Sequence, residues 1–196
     1  MAKSIIYSVI ATLMLSVQSY AVTALEAVEI AKKQVNPYAA RSLTQIVGKP
    51  STVGQQPVEW QVLFFDPAAE QHGTLVAVSG NAVVSIRDGY TQLDRFRLFA
   101  YKMEEIIDPS RFKVDSPKLI PILQADASLQ SVKITSLGLW LRKDDKSPLA
   151  APVWYVDLYA TSAKGDQEVK FGTAKVDAAS GKLLKLDVDL KAVGRE

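Results

Sequence analysis

The residues whose types could carry chemistry are few, and their spacing points away from most reactions. The chain holds one histidine, His72, and no cysteine. His72 stands in Pro67-Ala68-Ala69-Glu70-Gln71-His72-Gly73, a polar stretch between two apolar runs, and reads as a solvated turn residue. A zinc site needs several spaced ligands, and a Ser-His-Asp triad needs a histidine beside its nucleophile. The acidic pairs Glu104-Glu105, Asp144-Asp145 and Asp187/Asp189 lack the spaced carboxylate ladder of a calcium loop and read as surface charge. Asp177 lies in a turn, where an aspartate bonds nearby backbone amides. These residues predict no metal, no cofactor and no enzyme; a hydrolase using Ser and Lys ranks last among the alternatives.

The aromatic residues are more informative. Alternation puts Trp60, Val62 and Phe64 on one face of a strand and Trp154, Val156 and Leu158 on one face of another, the pattern of half-buried strands facing a core. The residues between them point the other way: Leu63 and Phe65 in the first strand, Tyr155 and Tyr159 in the second. Trp140 likewise alternates away from Leu137, Leu139 and Leu141. Side by side, such strands would present a partly aromatic outer face, the kind of surface that marks a partner site. The plainer alternative is cross-strand aromatic pairing, or burial of one sheet against another. Leu63, Phe65, Trp140, Tyr155 and Tyr159 are therefore the candidate binding residues.

The elements that must position them follow from the rest of the chain. Residues 1–21 read as a secretory signal: Lys3, then an apolar stretch of 13 residues from Ile5 to Val17, then small residues at Ser19 and Ala21. That stretch is shorter than the roughly 20 residues a membrane-crossing helix needs. Cleavage after Ala21 or after Ala24 both fit, and Ala21 is preferred because Thr23 and Glu26 have capping-box spacing. The expected product is periplasmic or secreted, without a membrane anchor. Without the signal the chain keeps 22 basic and 21 acidic residues with no basic run longer than two, which argues against a nucleic-acid partner.

Two stretches of the remaining chain share a layout. Pro57-Val58-Glu59-Trp60-Gln61-Val62 leads through Gly73 to Thr74–Val84, and Pro152-Val153-Trp154-Tyr155-Val156 leads through Gly172 to Thr173–Leu184. Each reads as an antiparallel meander. Ahead of each lies a helix candidate. Ala24 to Val35 carries Leu25, Val28, Ala31 and Val35 on one side and stops at Asn36-Pro37. The other runs from about Pro117 to Ala127, with Pro121 near its start. A further strand follows each helix, clear at Thr135–Arg142 and weaker near Ser42–Val47. Leu93, Phe96, Ala100, Met103 and Ile107 have near-helical spacing and predict a connecting helix, with an edge strand as the alternative.

The order of helix, strand, Pro-x-Trp strand and closing hairpin resembles the PepSY domain, the peptidase propeptide and YPEB-like family. The resemblance rests on Val114-Asp115-Ser116, Pro152-Val153-Trp154-Tyr155-Val156 and Val176-Asp177-Ala178-Ala179-Ser180-Gly181-Lys182. The first stretch departs from it, with Ser79-Gly80-Asn81 in place of the longer acidic turn. The resemblance implies an α+β unit with a helix laid on an antiparallel sheet; with the two stretches and the connecting helix read above, the expected fold is two repeated units, each a helix packed on an antiparallel β-meander, joined by a helix. The expected organisation is a signal at 1–21, a first unit at 22–90, a connection at 91–112, a second unit at 113–190 and a tail at 191–196. It further implies a binding module that inhibits or regulates a secreted or envelope protease and supplies no catalytic residues. The alternative function is carriage of a small apolar ligand or cell-wall component.

Overall fold

In a computed structural model the protein is described over residues 21–51, 55–91, 94, 98–144, 150–165 and 167–194. Apart from Ala21, the signal read over residues 1–21 lies outside them, as do Leu93, Phe96, Asp145, Arg195 and Glu196. The chain opens with helix α1 (Ala24–Lys32). Its Thr23 hydroxyl accepts from the Glu26 N–H while the Glu26 carboxylate accepts from the Thr23 N–H, completing the capping box. Strands β1 (Leu43–Gly48), β2 (Glu59–Phe65), β3 (Gly73–Ser79) and β4 (Ala82–Asp88) follow. After the connection come a short helix α2 (Leu119–Gln124) and strands β5 (Ile134–Lys143), β6 (Pro152–Thr161), β7 (Glu168–Asp177) and β8 (Leu183–Val188).

The expectation of two separate helix-on-meander units is overturned. All eight strands hydrogen-bond into one antiparallel sheet in the order β4-β3-β2-β1-β5-β6-β7-β8. β1 and β5 meet at its centre, where Ile46, Val47 and Gly48 pair with Leu141, Trp140 and Leu139. β1 was weak in the sequence because, as a central strand, it is buried at all six positions and shows no polar alternation. Gly48 has a packing reason: a Cβ there would fall 2.5 Å from both Pro57 and the Trp60 ring.

The connecting helix is also overturned. Among the described residues of 91–112 there are only the 3₁₀ turns Met103–Glu105 and Pro109–Arg111. The backbone here bonds elsewhere: Tyr101 N–H donates to the Gln71 carbonyl at 2.9 Å and Ile107 N–H to the Leu43 carbonyl at 2.7 Å. The second helix shrinks to a 3₁₀ turn at Ser116–Lys118 followed by the six-residue α2. Pro117 and Pro121 supply no backbone N–H, which limits the ladder that region can form.

One face of the sheet carries the main core. Trp60, Val62, Phe64, Leu137, Leu139, Leu141, Trp154, Val156 and Leu158 pack there with Ala27, Val28 and Ala31 of α1 and Leu119 and Leu123 of α2. Both indoles are wholly buried and tied down alike: Trp60 Nε1–H donates to the Val22 carbonyl at 2.8 Å, and Trp154 Nε1–H to the Val114 carbonyl at 2.7 Å. Each bond joins a strand to the chain entering the helical segment ahead of it, and it satisfies a polar group that burial would otherwise penalise.

Candidate functional site

The site lies on the sheet's other face. There, cross-strand register lines up Trp140 on β5, Tyr155 on β6, Lys175 on β7 and Lys185 on β8 in one row. The Trp140 and Tyr155 rings stack, with centroids 5.7 Å apart and planes 5° from parallel. Lys175 Nζ lies 4.6 Å from the Tyr155 ring centroid and Arg142 Cζ 4.7 Å from it, within cation–π range. The Tyr155 hydroxyl donates to Asp144 Oδ1, and Lys175 Nζ donates to Asp144 Oδ2 at 3.1 Å.

These contacts set the local electrostatics. The Tyr155 hydroxyl, aided by Lys175 and opposed by partial burial, holds the Asp144 carboxyl below the usual aspartate range. The bond to Asp144 in turn raises the Lys175 ammonium above its ordinary value. Both groups are therefore ionised at neutral pH. Beside them a shallow pocket of about 170 Å³ is lined by Trp140, Tyr155, Thr173, Lys175 and Lys185.

Tyr159 is on the same face, paired with Ser136 on one side and Lys170 on the other. Partial burial, then the nearby Asp157 charge, raises its hydroxyl above the ordinary tyrosine value. Asp157 Oδ1 is shielded from solvent, and the Lys170 ammonium 2.7 Å away is its ionic partner. Trp140, Tyr155 and Tyr159 are all half-buried.

Leu63 and Phe65 are not part of this open face. They are 0 % and 5 % exposed, closed into a small second core with Leu75 and Tyr101, against which Tyr90 and Ile106 pack. Their expected exposure fails because the connecting chain crosses the sheet at that point, a tertiary fact that alternation cannot carry. Five candidates thus reduce to three on an open face, of which Trp140 and Tyr155 touch.

Sequence reasoning missed Arg142, Lys175 and Lys185. Arg142 was within reach, being two residues from Trp140 on the same side of β5. The lysines needed the register of β7 and β8. Asp144, expected as surface charge, is the carboxylate that joins Tyr155 to Lys175.

Elsewhere, His72 is exposed, with its ring edge-on to Phe65 at 6.0 Å, and it follows Gln71 in a left-handed turn. Asp177 Oδ1 accepts from the N–H groups of Ala179 and Ser180 and from the Ser180 hydroxyl. Burial raises that carboxyl, but these bonds outweigh it and the net shift is downward. Asp189 accepts from the Lys191 N–H in the same manner. Contrary to the expectation that the chain holds no Ser-x-x-Lys nucleophile motif, Ser110-Arg111-Phe112-Lys113 has that spacing. It runs through a 3₁₀ turn in which Ser110 and Lys113 are both exposed, without the helix such a motif opens. Among the described residues no three His, Asp or Glu side chains gather as metal ligands, and no helix is long and apolar enough to cross a membrane. Compared with known proteins, the chain matches no family model, no curated protein and no solved structure.

Proposed function

We propose that this chain is an exported, non-enzymatic binding protein that restrains or regulates a secreted or envelope enzyme, a protease foremost, through the open face around Trp140 and Tyr155. The observation that carries the reading is a contrast on one side of the sheet. Over β2 and β3 that side is sealed by Tyr90, Tyr101 and Ile106, whereas over β5–β7 a stacked aromatic pair and several charged groups remain accessible. Tyr, Trp and Arg are the residues that most often dominate protein interfaces. The PepSY resemblance of residues 114–182 supports the same reading, since that family binds or inhibits secreted proteases. The cleavage position after Ala21 fits the fold: the Val22 carbonyl accepts from the buried Trp60 and Thr23 caps α1, and cleavage after Ala24 would remove both contacts.

The test is affinity capture from the periplasmic and culture fractions, with wild type beside Trp140→Ala and Tyr155→Ala, followed by proteolysis assays on what is retained. A hydrolase held by wild type, weakened about tenfold or more by either variant and slowed by added protein, is the expected result. Equal retention by all three proteins, or unchanged proteolysis, would sink the reading.

A second reading, carriage of a small apolar ligand, is favoured by a groove of about 400 Å³ beside α2, lined by Ile122, Ala125, Asp126, Gly181 and Leu183. An apolar fluorescent probe that binds wild type and is lost in Ile122→Asp would support it.

A further inference from the structure

The row of side chains through Tyr155 already holds one carboxylate, and it belongs to the chain itself. The Tyr155 hydroxyl and the Lys175 ammonium converge on the two oxygens of Asp144, which sits one residue beyond the end of β5 and keeps 46 % of its side chain exposed. Two donors of different chemistry, carried by adjacent strands, thus meet at a place that accepts a carboxylate at the edge of an aromatic platform. Within that row Arg142, Lys175 and Lys185 outnumber Asp144; further along the same face Asp157 is paired with Lys170, and Asp187 stands opposite Thr173. Arg142 lies over the Tyr155 ring, and Lys185 lines the pocket beside Trp140 with no ion pair to another described residue.

Resting on the binding role proposed above, we infer that the partner presents an acidic segment in which an Asp or Glu adjoins an aromatic or large aliphatic side chain. The apolar group packs on Trp140 and Tyr155, the carboxylate pairs with Lys185, and Asp144 competes with the segment for Lys175. Complementary charge of this sort chooses among partners and speeds encounter more than it adds raw affinity. The pocket, at about 170 Å³, takes one side chain rather than a free ligand, for which roughly 300–1,000 Å³ is usual. Competition by Asp144 makes a directional claim: removing its charge tightens the complex, the reverse of what a merely structural residue does.

The experiment pans a library of short random peptides against wild type, Asp144→Asn, Lys185→Glu and the double variant Trp140→Ala/Tyr155→Ala. Circular dichroism and melting confirm that each is folded, and heparin serves as a generic polyanion control. Expected are enriched peptides that combine acidic with aromatic or aliphatic residues. Their affinity falls about tenfold or more in Lys185→Glu and in the double variant, and rises severalfold in Asp144→Asn. Peptides that depend on Trp140 and Tyr155 but are neutral or basic would overturn the acidic partner and leave the binding face standing. Failure of any peptide to depend on those two residues would take down the binding face as well. Heparin binding as tight as the peptides' and indifferent to the aromatic pair would reduce the site to unspecific charge attraction and refute the inference.

Discussion

The two arms of the sheet, β1–β4 and β5–β8, run outward from the centre in the same order, and each anchors a buried tryptophan to the chain ahead of its helical segment. They differ in what covers the opposite face. Counting from each tryptophan, Gln61, Leu63 and Phe65 of β2 stand where β6 has Tyr155, Asp157 and Tyr159. All three of the first set are buried, Leu63 and Phe65 beneath the connecting chain; the second is half-exposed and interleaved with charge. The lesson is that a strand becomes core or surface according to the segment that crosses it. Residue types then follow, apolar where a lid exists and amphipathic where none does.

The sharpest way to break the comparison is to exchange one position between arms. Leu63→Asp places an unpaired carboxylate under Tyr101 and should cost about 4 kcal/mol or more. The reciprocal Asp157→Leu frees only a surface lysine and should stay within about 1 kcal/mol. Urea unfolding of both variants decides it, and equal costs would mean that the arms are not differently covered. Next in size, Tyr101→Ala should remove about 3–4 kcal/mol by opening the second core, and it should add binding of an apolar dye at Leu63 and Phe65, a readout that a variant in the open arm would not produce.

Replacing either anchoring indole tests what the arms share. Trp60→Phe and Trp154→Phe each leave a buried carbonyl, Val22 or Val114, without its donor, at about 1–3 kcal/mol apiece. Thermal melts that show one loss far larger than the other would reveal that the two anchors are equivalent only in geometry.

The smallest expected effect is the acid dependence that Asp144 contributes in the open arm. The lowered carboxyl of Asp144 gives stability that is present above the unfolded aspartate value near 3.9 and is lost as pH falls through the lower folded value. The raised Lys175 gives stability that is present below about 10.4 and is lost as pH rises past its folded value. Both side chains are well exposed, so water screens much of this. Denaturation midpoints should fall slightly more between pH 5 and pH 2 in wild type than in Asp144→Asn; identical slopes would remove the pair from the account.

Much of this was legible locally. The capping box at Thr23 and Glu26, the buried sides of both tryptophan strands, the Asp177 turn and the outward parity of Trp140, Tyr155 and Tyr159 all follow from spacing over a few residues. What escaped depends on contacts between distant segments. The pairing of β1 with β5 leaves no local mark, since a strand buried on both faces loses its alternation. The burial of Leu63 and Phe65 depends on Tyr101, 38 and 36 residues further on. The helix expected at 93–107 had apolar spacing, but the main-chain partners at Gln71 and Leu43 draw its described part into an extended crossing.

The central seam bears on the order in which the fold is assembled. Of the seven strand pairings among the described residues, six join strands adjacent in sequence and β1 with β5 alone spans a long stretch of chain. That seam rests on three paired positions, whereas β5 with β6 has nine. Short-range pairings close quickly, and a long loop must be closed before its contacts repay the lost entropy. Each arm should therefore condense largely on its own, with the splice at Val47 and Trp140 forming last. A residue on the binding face then doubles as the one whose environment reports that the two arms have joined.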